Sequence, residues 1–402
     1  MKMLLIKIGK AWSVIRRDGV ARGGRRVLEA FAALFARVEP GDILFISGGV
    51  GDSARYRTTH VAEELRLRGF RTSVTVQDNP RLLSYADQFQ VFVFHRVLMT
   101  PVVARLMERL KAAGSTVIFE TDDLVYDPAF LVHMDYFTQM NALERKLYEH
   151  GVGGEILADS AVTVATTTTN FLADKLREKG KTVYIVPNRL SEQDVLWAGE
   201  AIEQKAKNSE HRSMISDSGD VVRVGYLSGT PSHNKDFATV TDVLIALFEK
   251  FPEMRLVLAG PLDTENRLQM YADRIQRLAF VPRHELFANI ASLDINLAPL
   301  EIGNPFCESK SELKFFEAGI VSVPTVAAAT QTFREAITDG TDGFVAANTD
   351  EWTEKIGRLI TDAELRLRMG RAARETALEE YTNANAKNEV YYEYVRTVLK
   401  KH

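Results

Sequence analysis

The segment spanning residues 304–329, NPFCESKSELKFFEAGIVSVPTVAAA, constrains the possible fold more than any other part of the chain. Four of its polar residues share helical spacing: Lys310, Ser311, Lys314 and Glu317. This spacing predicts a helix that opens just after Glu308. Free backbone N–H groups and the positive end of the helix dipole would then point, with both lysines, at one place. Such a place suits a diphosphate.

Glu317 lies two turns further along the predicted helix and could accept hydrogen bonds from a ribose. A site that holds phosphate and ribose would be a nucleotide site. The alternative is a surface helix at 308–318, whose Glu and Lys side chains only pair with one another. Buried strands predicted at 295–300 and 323–326 favour the nucleotide interpretation, because βαβ units place ligands at the carboxyl ends of their strands.

The segment resembles the donor-site helix of the two-Rossmann (GT-B) glycosyltransferases, specifically family 4, where an acidic residue precedes Ala-Gly and a Pro-Val strand follows. Other stretches of the second half match the same family: 224–229, 233–236, 255–260, 342–345 (DGFV) and 365–381 (LRLRMGRAARETALEEY). The first half matches more loosely. The resemblance implies an α/β fold of two Rossmann-like domains facing a cleft, and transfer of a sugar from a nucleotide-sugar donor.

One departure from the family pattern concerns the donor helix. Many members carry two glutamates eight residues apart, but the position eight before Glu317 is Ser309. The chain instead resembles a bacterial polysaccharide and cell-surface subset that reads "f.esKS..K..E". The resemblance implies that the donor is bound by Gly229, Thr230, Lys235, Lys310, Ser311, Lys314 and Glu317. Lysines at 235 and 310, with Ser311, would stabilise the departing diphosphate, and the sugar would be transferred with retention.

The first half alternates in the manner of a parallel α/β sheet. Strands are predicted at 42–47, 72–76, 90–94, 116–120, 161–166 and 183–186, and helices at 53–68, 102–113 and 170–179. The glycine-rich turn after the first strand lacks dinucleotide-binding spacing. By resemblance, this loop, with Gly49, faces the acceptor and the cleft. Arg55 and Arg57 could hold an acceptor phosphate or the donor diphosphate, although both could also be solvated residues at a helix start.

Two polar pairs follow predicted strands, where α/β sheets display cleft residues. We expect His95 and Asp122 to be catalytic and Arg96 and Asp123 to line the cleft, with a core histidine as the alternative for position 95. The aspartate pair resembles a family loop and is not interpreted as a metal site. Lysines can neutralise a leaving diphosphate. We therefore expect neither a metal nor another cofactor.

Composition limits the remaining classes of function. The net charge of −4 argues against general nucleic-acid binding. The single cysteine, Cys307, excludes a disulfide framework and is consistent with a reducing cytosol. The predicted organisation is an extension at 1–39, an acceptor domain at 40–190, a linker at 191–219, a donor domain at 220–380, and a last helix at 381–402 that returns to the first domain.

The extension at 1–39 is basic, and its apolar residues include Trp12 and Phe31. Two short amphipathic helices of this kind could bind an anionic membrane surface. They could equally pack on the protein itself or on a partner chain in a homo-oligomer. We predict a cytoplasmic enzyme, peripheral at the inner face of the cell membrane, that glycosylates a glycan or lipid-linked acceptor in bacterial surface-polysaccharide synthesis. A nucleotide-sugar epimerase of the same fold and a non-catalytic scaffold remain as alternatives.

Overall fold

A computed structural model describes residues 23–25, 27–28, 30–134, 137, 140, 145, 148–213, 221–229, 234–260, 262, 264, 266–279 and 281–400. The chain forms two compact units. The first, which we call the N-terminal unit, comprises Met1–Arg189 and Ala386–His402. The second, the C-terminal unit, comprises Leu190–Asn385. Most of the predicted extension at 1–39 lies outside the described residues.

The N-terminal unit is built on one parallel sheet of six strands in the order β2-β1-β3-β4-β5-β6. The strands are β1 Ile43–Ser47, β2 Thr72–Val76, β3 Val91–His95, β4 Thr116–Thr121, β5 Val164–Thr167 and β6 Thr182–Ile185. Every residue of β1, β3 and β5 is buried. Burial on both faces explains why these strands are short, nearly continuous apolar or β-branched runs. Chain order reverses between β1 and β3, which makes their carboxyl ends the topological switch point.

Helices cover both faces of this sheet. The α-helices of the N-terminal unit include Asp52–Ala54, Val61–Leu67, Pro101–Ala113, Gly154–Ala158, Asn170–Arg177 and Glu389–Leu399, and the described residues within 23–34 are also helical. Turns of 3₁₀ type occur at Leu82–Tyr85, Leu124–Tyr126 and Pro128–His133. The helix predicted at 53–68 is interrupted by a π-helical turn at Arg55–His60. Such turns are uncommon and often occur at functional sites.

The helix Glu389–Leu399 belongs to the N-terminal unit although it is the last in the chain. Tyr391, Tyr392 and Val395 are buried in one apolar cluster with residues of β1 and β3. The buried carboxylate of Glu64 accepts hydrogen bonds from Asn388 Nδ2 and from the Tyr392 hydroxyl, each at 2.6 Å. Apolar packing and a buried polar contact therefore fix the same helix.

The C-terminal unit has a second parallel sheet, with strand order β12-β11-β10-β7-β8-β9. Its strands are β7 Val222–Leu227, β8 Met254–Ala259, β9 Ile275–Leu278, β10 Ile295–Ala298, β11 Thr325–Ala328 and β12 Phe344–Ala346. This is the order of a Rossmann sheet, and its switch point lies between β7 and β10. The prediction of two Rossmann-like domains is confirmed.

The helices of the C-terminal unit are Glu192–Ser213, Asn234–Ala238, Thr241–Lys250, Arg283–Ala291, Pro305–Glu308, Leu313–Gly319, Gln331–Ala336, Thr349–Thr361 and Ala363–Glu380, with a 3₁₀ segment at Asn266–Arg274. Gly319 ends one of them where a Cβ would lie 2.7 Å from the carbonyl oxygen of Ala373. Only glycine permits this close packing of two helices. No helix in the described part of the chain is both long and apolar enough to span a bilayer.

Candidate functional site

Two of the predicted donor residues follow neighbouring strands at the switch point of the C-terminal sheet. Lys235 lies in the helix that follows β7, and Lys310 lies in the segment that follows β10. Because β7 and β10 are neighbours in the sheet, both segments leave from the same edge. This edge is where open α/β sheets bind ligands.

The single helix predicted from Glu308 onwards is wrong. Pro305–Glu308 forms one short helix, capped by Asn304, whose Oδ1 accepts the amide of Phe306 at 3.0 Å. The second helix begins only at Leu313. Ser309 occupies the break, where its hydroxyl donates to the carbonyl oxygen of Phe306 at 2.7 Å instead of facing solvent. A serine that bonds to a local carbonyl in this way competes with continued helix.

Lys310 and Ser311 therefore lie in the loop between the two helices, whereas Lys314 and Glu317 lie on the second helix. The Lys310 ammonium is 4.3 Å from the centre of the Phe306 ring. Ser311 is half-buried, Gly229 is exposed just after β7, and Thr230 lies outside the described residues. Lys310 and Ser311 therefore precede the donor helix and do not lie on its surface.

Lys314 is anchored at the end of β7. Its ammonium donates to the carbonyl oxygen of Leu227 and lies 4.8 Å from the centre of the Tyr226 ring. Burial lowers the pKa of Lys314, while the charges of Glu317 and Asp236 act in the opposite direction. The side chain therefore ties the donor helix to the sheet.

Glu317 is oriented by an arginine that the sequence analysis missed. Arg283 Nη1 donates to Glu317 Oε1. The same guanidinium forms two bonds to Asp194, Nε to Oδ1 at 3.0 Å and Nη2 to Oδ2 at 3.1 Å. Only 6% of the Arg283 side chain is exposed. A bidentate arginine fixes both carboxylates in place. The arginine begins a helix after Pro282, a signal too common to identify it in the sequence.

A second polar site lies at the switch point of the N-terminal sheet. Arg96 follows β3 with φ of 50°, an uncommon conformation for a residue other than glycine. A Cβ on Gly48 would lie 1.8 Å from the carbonyl oxygen of Arg96, so the backbone after β1 must be glycine here. Gly49 comes next and is exposed. Strained residues of this type cluster at functional sites.

Five side chains at this edge form one connected set. Arg96 Nε donates to Asp122 Oδ1 at 2.8 Å, and Arg96 Nη2 reaches Asp123 Oδ2 at 3.4 Å. Although burial disfavours its ionisation, Arg96 holds the pKa of Asp122 well below the usual range. Ser53 also donates to Asp122. Ser53 Oγ lies 2.9 Å from His95 Nε2, so the histidine ring donates from Nε2.

His95 is 1% exposed, and burial lowers its pKa to about 3. The ring is therefore neutral near pH 7. Its Nδ1 has no hydrogen-bond partner among the described residues. A buried, neutral imidazole bonded to a partly exposed serine suits a hydrogen-bonding role better than a charged one. Both alternatives stated for position 95, a core histidine and a cleft residue, remain compatible with this placement.

The proposed ligand role of Arg57 is wrong, whereas Arg55 stays at the surface. The Arg57 side chain is 0% exposed and donates to Glu120 from Nε at 2.8 Å and from Nη2 at 3.0 Å. Its Nη1 donates to the carbonyl oxygen of Val186 and to Asn188 Oδ1. All of these are core contacts. Arg55, 36% exposed, lies 3.7 Å from Asp52.

Part of the chain is similar to a known protein family. Residues 242–390 match the family model described as "Glycosyl transferase-like". The part of the C-terminal unit at 242–385 is therefore similar to a glycosyl transferase-like domain. The matched segment contains Arg283, Lys310, Lys314 and Glu317. It also contains the turn at Asp342, whose carboxylate accepts the amide of Thr338 at 2.8 Å.

One curated relative is similar to part of the chain. EpsD of Bacillus subtilis (strain 168), a protein named as a glycosyltransferase, is 29% identical over 147 residues. These cover 36% of this chain and 38% of EpsD, so the match spans well under half of that relative.

Two solved structures share the fold over most of the chain. A glycosyltransferase from Rickettsia africae superposes with a TM-score of 0.60 at 14% identity, over 90% of this chain and all of that one. HepE from Anabaena, solved in complex with UDP-glucose, gives a TM-score of 0.59 at 13% identity, with the same coverage. At these identities the likeness shows the fold alone.

Proposed function

We propose that this protein is a glycosyltransferase that moves a sugar from a nucleotide-sugar donor to a glycan or lipid-linked acceptor, with retention of configuration. The observation that carries the proposal is the fixed carboxylate of Glu317. It lies on the donor helix of the glycosyl transferase-like domain, at the switch point of a Rossmann sheet. A carboxylate at this position can accept hydrogen bonds from both hydroxyls of a ribose.

The donor would be held by groups on the two segments that leave this edge. Arg283 fixes the rotamer of Glu317, so little side-chain entropy is lost when a ribose binds. Lys235, Lys310 and Ser311 would stabilise negative charge on the departing diphosphate. The transfer step then needs no metal ion. The leaving phosphate would assist the incoming hydroxyl, so the protein supplies no nucleophile.

Two features of the comparisons support a uridine donor as the first to test. HepE was solved with UDP-glucose, and the structure of this chain follows HepE over 90% of its length. The acceptor would contact the N-terminal unit at Gly49, Arg55, Arg96 and Asp123, with His95 and Asp122 beside the reacting hydroxyl. The basic segment at 1–39 would hold the enzyme at the inner face of the membrane.

Calorimetry with UDP and UDP-glucose tests the donor site. Glu317→Gln should weaken binding by about 1–1.5 kcal/mol for each hydrogen bond, because a bond of about 1.5–3 kcal/mol to a charged acceptor becomes a neutral one of about 0.5–1.5 kcal/mol. Glu354→Gln is the matched control, since Glu354 is an exposed helical glutamate of the same unit. Equal affinity in both variants would refute the assignment.

A product assay separates the alternatives. A transferase forms glycoside only when acceptor is present, and an epimerase converts the donor without one. A scaffold binds the donor and does neither. Lys310→Ala should lower the rate of transfer more than it lowers donor affinity, because its charge acts on the leaving group.

A further inference from the structure

A cluster of metal-ligating side chains lies at the switch point of the C-terminal sheet, outside the donor residues already described. Asp236, Glu301 and Cys307 each offer one ligand atom, and these three atoms lie within 4.8 Å of one another. Asp236 lies in the segment after β7, and Glu301 and Cys307 lie after β10. Two adjacent strands therefore deliver the three groups to one point.

Two of the three side chains are buried, and Glu301 is half-buried. Asp236 is 4% exposed and Cys307 is 5% exposed. The thiol of Cys307 donates to Asp236 Oδ1 at 3.2 Å. Burial and the charge of Asp236 raise the pKa of Cys307 above its usual range, so the free thiol keeps its proton. A divalent cation would reverse this preference and release the proton to solvent.

Tyr226 provides an independent sign that a ligand belongs here. Its side chain is 0% exposed, and its hydroxyl finds no hydrogen-bond partner in the described part of the chain. Burial raises the pKa of Tyr226, and Asp236 and Cys307 raise it further, so both groups lie within electrostatic range of the hydroxyl. A buried hydroxyl without a partner costs about 1–3 kcal/mol.

The donor set indicates which cation would bind. Thiolate sulfur selects against Mg²⁺ and Ca²⁺, and two carboxylates with one thiolate suit Zn²⁺. Tetrahedral ligands about 2.0–2.3 Å from zinc are roughly 3.3–3.8 Å apart. The cluster would have to contract by about 1 Å, which short side-chain movements can supply. The Tyr226 hydroxyl or a water molecule would complete the shell.

We propose that Asp236, Glu301 and Cys307 bind a zinc-class divalent cation beside the donor site. Lys235 is adjacent to the ligand Asp236, and Lys310 lies three residues beyond the ligand Cys307. The cation would therefore join the two segments that carry these lysines. Its role is to fix these lysines, not to replace their charge. The proposal does not depend on the proposed transferase activity.

Cobalt substitution tests the site directly. The full chain, treated with chelator and then titrated with Co²⁺, should develop a thiolate-to-cobalt charge-transfer band in the near ultraviolet, and Zn²⁺ should abolish it. Cys307→Ser should lose the band. Competition with a chromophoric chelator should show Zn²⁺ binding weakened by at least about 100-fold in Cys307→Ser and in Asp236→Asn.

The control is Glu335→Gln, an exposed acidic residue in the same unit, which should bind Zn²⁺ as the wild type does. Absence of the cobalt band from the wild-type protein would overturn the proposal, and this result needs no variant to fold. Zinc affinity within threefold of wild type in Cys307→Ser would also overturn it. No donor is present in these measurements, so their failure leaves the proposed transfer reaction untouched.

Discussion

Replacement of Arg57 by Met tests whether this residue serves the core or a ligand. The guanidinium makes four hydrogen bonds, two to Glu120, one to Val186 and one to Asn188. The Glu120 side chain is only 2% exposed, and the substitution would remove the positive charge that pairs with its carboxylate. Removal of one partner of a buried ion pair costs about 3–5 kcal/mol. We expect the N-terminal unit to lose about that much stability.

Arg55→Met is the matched control because it removes the same group two residues away. Arg55 is partly exposed and lies 3.7 Å from Asp52, so its loss should cost about 0–1 kcal/mol. The double variant Arg57→Met/Glu120→Met should regain part of the lost stability, since no unpaired charge then remains in the core.

The assay must report on one unit at a time. Trp197 and Trp352 both belong to the C-terminal unit, so tryptophan fluorescence follows that unit once Trp12 is replaced by Phe in every variant. Hydrogen exchange of β3 and β4 peptides in increasing urea follows the other. Arg57→Met with exchange free energies within 1 kcal/mol of wild type, but with weakened acceptor binding, would refute the core assignment and restore a ligand role.

Three further predictions use other parts of the chain. As pH falls from about 6.5 towards 3, the histidine at position 95 becomes protonated in the unfolded chain but stays neutral in the folded protein, so the free energy of unfolding should fall by up to about 1.4 kcal/mol per pH unit. In urea titrations, His95→Gln should reduce this dependence of stability on pH, and an unchanged dependence would contradict the burial argument. Truncation after Tyr381 removes Tyr391 and Val395 from the N-terminal core and should lower the melting temperature of that unit; an unchanged melting curve would contradict the packing. Deletion of 1–39 should abolish co-sedimentation with anionic liposomes while donor binding persists, and indifference of the intact protein to liposomes at low salt would exclude the membrane hypothesis.

The sheets could be predicted from the sequence because buried parallel strands leave a strong local signal. Five of the six strands of the first sheet are expected from the sequence within two residues of their ends, since each is a short run rich in apolar or β-branched residues between turn residues. The donor segment was predicted from polar residues at helical spacing, but the structure divides that segment into two helices with Lys310 and Ser311 between them. The sequence pattern is sufficient to predict an element whose conformation depends mainly on its own residues.

Other features depend on contacts that a local pattern does not contain. The local sequence suggests that Arg57 is a solvated residue at the start of a helix. Its core position becomes evident only from its hydrogen bond to Glu120, which is 63 residues away. Arg283 and Asp194 are separated by 89 residues, so no motif joins them. The break after Glu308 was missed because Ser309 reads as a helix residue until its bond to Phe306 is seen.

The return of the last helix to the N-terminal unit has a consequence for synthesis on the ribosome. Tyr392, which bonds to Glu64, is made 328 residues after it. At about 5–20 residues per second, that interval is on the order of 15–65 s. During this time the first sheet has left the exit tunnel with the apolar surface for Tyr391 and Val395 uncovered. The unit that is translated first is therefore the last to be completed, and a chaperone that shields this surface would act in that interval.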